Sequence, residues 1–329
     1  MPNETITVII PVHNSIATLE RCVNSVLQQT YNNLEILLVN NGSTDDSLSM
    51  CKKLEASDAR IKVINLAEGN VSGARNAGLN AMTGDYFAFV DSDDFIDATM
   101  YEKLYHKLNA DQADMAFCYF NIVENNTVVK EYIEERLKDL VYGKQFQFIF
   151  KSGRDYVKAN IWRTLFKADK LRAVRFDERL YFGEDFAYMF QIFQVSCNMT
   201  LLEECLYNYI LASTTMSKKY FKVKMLQNDK IYAQYAYDFL CAFGMNDYAV
   251  AARYGSWIHV VHSVLAYSDN YKNELPMILA DEYWQEVTQK KNYKQFKKLL
   301  CPNFKYKTRA FLLQHGMFGL YRKLIKRMI

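Results

Sequence analysis

The feature that most constrains this chain is a repeat in its first 125 residues: a short apolar run, a polar cluster, then apolar residues at helical spacing. Ile6 to Val12 is such a run. It gives way to His13-Asn14, and Ile16 to Gln28 follows with Leu19, Val23, Val26 and Leu27 at helical spacing. Leu34 to Val39 stops at Asn40-Asn41-Gly42-Ser43, and Asp45 to Leu54 reads as a helix with Ser43 or Thr44 as its cap. Ile61 to Leu66, Tyr86 to Val90 and Met115 to Ile122 read as further strands, Ser72 to Ala81 and Met100 to Leu108 as further helices. Strands that are nearly continuously apolar are covered on both faces, and their alternation with helices predicts an α/β fold with a parallel sheet. Ligands of such sheets lie beyond the carboxyl ends of the strands. The polar clusters of this chain fall at those ends.

Residues 126–215 mix both signals, with a helix over Glu184 to Val195 and a strand over Leu201 to Leu211. From Tyr220 onward the pattern is helical and rich in Tyr. The expected organisation is an α/β domain over 1–215, in halves of about 1–125 and 126–215, and a helical C-terminal region over 216–329. Apolar residues make up 50% of the chain and charged residues 23%, which excludes global disorder. No stretch approaches 18 uninterrupted apolar residues, so no membrane-spanning helix is expected. The N-terminus lacks a secretory pattern, and the 7 Cys are scattered without a Cys-x-x-Cys spacing. A reducing cytoplasm is the expected compartment.

Charge is distributed unevenly. Residues 287–329 hold 12 Lys and Arg and no acid, leaving 28 basic and 37 acidic side chains in the rest of the chain. A basic tail on an acidic body favours an anionic partner: a membrane surface, nucleic acid or another subunit. On a helical wheel of residues 317–329, Met317, Phe318, Leu320, Tyr321, Leu324, Ile325, Met328 and Ile329 share one side, and Arg322, Lys323, Lys326 and Arg327 the other. Such a helix suits an anionic headgroup layer, with Lys305, Lys307 and Arg309 adding charge. The same stripe also suits packing on the protein's own helices or on a second subunit. No motif supports nucleic-acid binding.

Three constellations carry chemistry. Asp91-Ser92-Asp93-Asp94 places three carboxylates directly after an apolar strand. Such crowding suits a hard divalent cation whose shell a phosphate completes, or a solvated turn that caps the next helix. Gly73-Ala74-Arg75-Asn76-Ala77-Gly78 puts an arginine, suited to bidentate phosphate contacts, on a helix of small residues. The small residues alone also suit close packing on the sheet. Gly183-Glu184-Asp185 opens an apolar helix, where the dipole favours carboxylates whatever their role. His259 and His262, three apart on a helix, read as packed or surface residues.

Taken in order, Val8 to Asn14, Val39 to Asp45, Gly73 to Gly78 and Asp91 to Asp94 resemble the family-2 glycosyltransferases of GT-A fold, and Gly183-Glu184-Asp185 fits that family's later catalytic motif. The resemblance covers roughly residues 5 to 215. It implies an inverting, metal-dependent transfer of a hexosyl or N-acetylhexosaminyl group from a nucleotide diphosphate sugar to a hydroxyl of a cell-envelope glycan or lipid-linked acceptor. Pro11, His13 and Asn41 would line the nucleoside pocket. Arg75 would contact the diphosphate, with Asn70 near it. Asp91 and Ser92 would belong to the donor site, Asp93 would ligate Mn²⁺ or Mg²⁺ with Asp91 in the same metal site, and Asp185, supported by Glu184, would be the general base. Asn40-Asn41 stands where the family usually shows Asp. An Asn oxygen still accepts a bond from a uracil ring, at roughly half the strength of a charged acceptor. A uridine donor is therefore expected. The alternative is a catalytically silent glycan- or partner-binding subunit that retains the fold; an oligomer is compatible with both.

Overall fold

The computed structural model describes residues 3–125, 127–133, 160–181, 183–196, 198–211, 224–267, 271–299 and 304–326. These fall into two compact units, one within 3–211 and one within 224–326. The boundary expected at 215/216 lies outside the described residues.

In the first unit the strands are β1 (Ile6–Val12), β2 (Leu34–Asn41), β3 (Ile61–Leu66), β4 (Tyr86–Phe89), β5 (Phe95–Ile96), β6 (Met115–Glu124), β7 (Thr127–Tyr132), β8 (Thr164–Lys167) and β9 (Met199–Ile210). Between them lie α1 (Leu19–Leu27), α2 (Ser47–Ser57), α3 (Val71–Ala81), α4 (Met100–Ala110), α5 (Ala168–Leu171) and α6 (Glu184–Val195). The strands form one sheet in the order β3-β2-β1-β4-β8-β6-β9-β5, with β7 on β6. β1 is parallel to β2 and β4, β2 to β3, and β6 to β9; β8 runs antiparallel between β4 and β6. This is the mostly parallel GT-A-like sheet expected from the sequence, extended by antiparallel strands.

Every residue of β1 and β2 is buried, which accounts for their unbroken apolar runs. On α1, Leu19, Cys22, Val23 and Val26 are buried. Burying one such aliphatic side chain contributes about 1.5–3 kcal/mol, far more than the tenths that helix propensity supplies. Packing therefore holds this short helix. α1 begins at Leu19 rather than Ile16, because the Ser15 carbonyl accepts from the Thr18 and Leu19 amides in a turn. α2 begins at Ser47; Asp46 holds the N-cap position without a side-chain cap bond, the Ser47 amide donates to Asp45 Oδ1, and neither Ser43 nor Thr44 caps the helix. Those two residues bond the Asn14 loop instead: Ser43 Oγ accepts from the Asn14 amide, and the Thr44 amide donates to Asn14 Oδ1.

Pro11 sits in a strand flanked on both sides, where a missing N–H is ordinarily costly. Pairing of β1 with β4 ends at Ile9–Phe89, two residues earlier, while pairing with β2 continues through Val12–Asn40. Beyond Ile9 the two strands part. This is also where the strand order reverses, between β1 and β4, and a crevice at such a switch point is the usual ligand site of an open α/β sheet.

The described residues of the second unit form α7 (Lys224–Ala242), α8 (Asn246–Tyr267), α9 (Tyr271–Ala280), α10 (Glu282–Val287), α11 (Lys290–Leu299), α12 (Phe304–Gln314) and α13 (Phe318–Lys326). Their core is built around α8, with Tyr254, Trp257, Val261 and Leu265 buried beside Trp284, Phe296, Leu313 and Tyr321. The apolar stripe read on the tail is divided. Tyr321 is buried, and its hydroxyl lies 2.8 Å from His262 Nδ1. Arg322, expected on the charged face, donates to the Leu265 carbonyl at the end of α8. Met317, Leu320 and Leu324 stay exposed. Residues 327–329 lie outside the described residues, and no described helix is long and apolar enough to cross a membrane.

Candidate active site

Parallel strands bring their carboxyl ends to one edge of the sheet. His13 follows β1, Asn41 ends β2, and Asp91 follows β4 by two residues. His13 Nδ1 lies 2.8 Å from the Asn41 carbonyl. A carbonyl only accepts, so Nδ1 carries the proton and Nε2 faces the Asn14 amide nitrogen at 3.4 Å. Asn41 is buried and its Oδ1 has no hydrogen-bond partner among the described residues. Buried acceptors are normally satisfied, so this oxygen is suited to a ligand N–H. Pro11 lies opposite Val39 of β2.

Arg75 stands at the centre. α3 carries it into the interior, where its side chain is 3% exposed. One nitrogen donates to Asp91 Oδ1 at 3.1 Å, and the other to Glu184 Oε1 at 3.0 Å and Asp185 Oδ1 at 2.8 Å. The Phe176 ring lies against the guanidinium, 5.3 Å from its centroid. Close approach of α3 to the sheet depends on Gly78, where a Cβ would stand 2.4 Å from Ile9 Cγ2. The glycine of this small-residue helix packs on the sheet, and the arginine pairs with the chain's own carboxylates.

Glu184 and Asp185 open α6 after Gly183, whose φ of 76° is a conformation that side chains with a Cβ disfavour. Burial raises the Asp185 pKa. Arg75 opposes the shift, Glu184 and Asp91 add to it, and the net direction is upward. One guanidinium thus faces three carboxylates, an excess of negative charge that favours uptake of a proton or a cation.

The acidic turn divides its labour. Asp94 is buried; its Oδ2 accepts from the Tyr207 hydroxyl at 2.7 Å and its Oδ1 from the Ile210 amide at 2.8 Å. Burial and repulsion from Asp91 and Asp93 push its pKa well up. Asp94 therefore fastens β9 to the turn and is not available as a ligand. Asp93 is exposed, and no side chain among the described residues hydrogen-bonds its carboxylate. The Arg21 guanidinium fixes its backbone by donating to the Asp93 carbonyl at 2.7 Å. Ser92 Oγ lies 2.7 Å from Ser15 Oγ, tying the turn to the β1 loop. Asn70 caps α3 by accepting from the Gly73 amide, and its Nδ2 donates to the Glu178 carbonyl. Both ends of that side chain serve the loop. Among the described residues no three His, Cys, Asp or Glu side chains converge as a closed metal site. Asp91 and Asp93 offer hard oxygen donors that fit Mn²⁺ or Mg²⁺ when phosphate and water complete the shell.

Sequence reasoning missed Arg21, Phe176, Glu178 and Tyr207. Each meets the site from a distant part of the chain, and no local spacing marks them.

The fold and this edge define a GT-A-type α/β protein with an acidic centre at the switch point. Residues 7–194 match the model of Glycosyl transferase family 2, more than half of the chain, and the chain belongs to that family. It is 34% identical over 228 residues to the Streptococcus pneumoniae glycosyltransferase GlyA, covering 66% of this chain and 32% of that protein. It is 30% identical over 219 residues to the uncharacterized glycosyltransferase EpsJ of Bacillus subtilis, covering 62% and 60%. The match thus spans about a third and three-fifths of these two relatives. The crystal structure of Staphylococcus aureus TarS 1–349 in complex with UDP-GlcNAc shares the fold, with a TM-score of 0.70 at 16% identity over 98% of this chain and 90% of that one.

Proposed function

We propose that this protein is an inverting glycosyltransferase that moves a hexosyl or N-acetylhexosaminyl group from a UDP-sugar to an acceptor hydroxyl. The observation that carries the reading is the Arg75–Asp91–Glu184–Asp185 cluster beside the exposed Asp93. Asp185 removes the acceptor proton, the acceptor oxygen bonds to the anomeric carbon, and the bond from that carbon to the diphosphate breaks on the opposite face. A base whose pKa is raised toward working pH suits this task and contributes about 10²–10⁴-fold. Glu184 and Arg75 hold its carboxylate in place. A divalent ion held by Asp93 and Asp91 would neutralise charge on the leaving diphosphate as a Lewis acid. The buried, unpartnered Asn41 Oδ1 supports a uracil ring as the base recognised, as does the UDP-GlcNAc bound by TarS. The test is release of UDP from a panel of UDP-sugars with Mn²⁺. Asp93→Asn should abolish most metal-dependent turnover at unchanged Tm, and full activity of chelator-treated wild type would overturn the metal's role.

Exposed Met317, Leu320 and Leu324 with exposed Lys323 support docking of the tail on an anionic cytoplasmic membrane face, near lipid-linked or envelope acceptors. Salt-sensitive co-sedimentation with anionic but not neutral vesicles is the expected result, and equal sedimentation with both would refute the docking.

A further inference from the structure

The helical unit contains a cleft of about 370 Å³, formed by α7, α8, α10 and α11 and the turn before α11. That volume is within the range of small-ligand sites. We infer that this cleft binds a neutral saccharide, as a glycan subsite built from the helical unit alone.

The charge of the lining selects the ligand class. Arg253 and Lys291 are balanced by Asp247 and Glu286. A phosphate or sulfate would meet as much repulsion as attraction there, whereas vicinal hydroxyls, which donate and accept at once, can use both signs. The amides of Gln289, Asn292 and Gln295 add donors and acceptors of the same dual kind. Asn292 uses its nitrogen on the Glu286 and Val287 carbonyls, which holds the amide in a fixed place at 3.0 and 3.1 Å.

The arginine is preset. Its guanidinium lies 4.6 Å from the ring centroids of both Tyr237 and Tyr283, and its Nε is buried without a hydrogen-bond partner among the described residues. Its ion pair to the largely exposed Glu286 is long, at 3.5 Å. A long pair with one partner in solvent contributes little stability. Two rings holding a cation at a cleft wall give a rigid donor, and a rigid site loses less entropy when a ligand binds. Tyr237, which also lines the cleft, adds an apolar ring surface of the kind on which a sugar's C–H face packs.

The inference rests on the proposed transfer reaction only for expecting a glycan, since binding needs no turnover. The full chain is tested by saturation-transfer NMR with neutral oligosaccharides of glucose, galactose, mannose and N-acetylglucosamine, and with inorganic phosphate as competitor. At least one oligosaccharide should give signals that phosphate does not displace. The double variant Gln289→Ala/Gln295→Ala removes two side-chain amides that none of the described fold hydrogen bonds uses. It should lose those signals at least tenfold while its Tm and its UDP-sugar hydrolysis stay at wild-type values. Asp185→Asn should keep the signals, which separates this site from the proposed catalytic centre. Absence of signals with every oligosaccharide, displacement by phosphate, or unchanged signals in the double variant would overturn the inference.

Discussion

Both units bury aromatic rings, and the α/β unit adds a cluster of buried charge. The α/β unit buries charge: Arg75 is 3% exposed among three carboxylates, and Asp94 is 1% exposed. The helical unit buries rings, with Trp257, Trp284, Tyr254, Phe296 and Tyr321 at its centre. Buried charge is costly and persists where partners are placed accurately; buried rings gain area with little geometric demand. The contrast separates a charged cluster suited to chemistry from a ring core suited to packing. Substitutions at the charged cluster should therefore move activity and its pH dependence, and substitutions among the buried rings of the helical unit stability alone.

The largest effect is expected at Asp185. Asp185→Asn should slow transfer by about 10²–10⁴-fold while UDP-sugar affinity, read by calorimetry, stays near wild type. Its thermal stability sharpens the point. The folded-state pKa of Asp185 is raised, so above the ordinary carboxylate value of about 3.9 the unfolded chain gives up this proton more readily than the folded one. Wild type therefore loses stability as pH rises from about 4 toward the raised value, and the Asn variant does not. The Tm advantage of the variant should widen over that range; a constant gap would remove the case for a strained base.

Next is Arg75→Met. An apolar side chain fills the space but leaves three carboxylates without their cation, at a cost of about 3–5 kcal/mol. Denaturation at pH 7 should show that loss, and it should shrink as pH falls, because Asp185, whose pKa burial already raises, takes up a proton first and more readily without Arg75. A pH-independent loss would mean that Arg75 acts by packing. Smaller is Gly78→Ala, which drives a methyl into Ile9 and should cost about 1–3 kcal/mol, with transfer slowed because the displaced Arg75 no longer holds the Asp185 carboxylate. The smallest is in the helical unit. Tyr321→Phe removes the bond to His262 and should cost about 0.5–1.5 kcal/mol, with kcat and KM unchanged. A change in either constant would break the division between the units.

Much of the α/β unit was legible because burial on both sheet faces forces apolar runs, which one reads without knowing a single contact. Ile6–Val12, Ile61–Leu66 and Glu184–Val195 coincide with the elements observed. The motif positions of Arg75, Asp91, Glu184 and Asp185 were legible as separate signals, each with an innocent reading beside it. Their meeting was not, because α3 and α6 are more than a hundred residues apart and nothing in either segment encodes the other's place. The acidic turn shows the same limit. Asp91, Asp93 and Asp94 are chemically alike in sequence, and only the approach of Tyr207 and the Ile210 amide makes Asp94 an anchor and leaves Asp93 to solvent. The tail divides for the same reason: a helical wheel sorts Tyr321 with Leu320 and Arg322 with Lys323, while α8 decides which of each pair is covered. Periodicity records how much of a segment is buried, since water exclusion acts on every residue alike. Which carboxylate is a base, which a ligand and which a structural anchor depends on neighbours within about 3 Å, a hydrogen-bond distance, and only the folded chain supplies them.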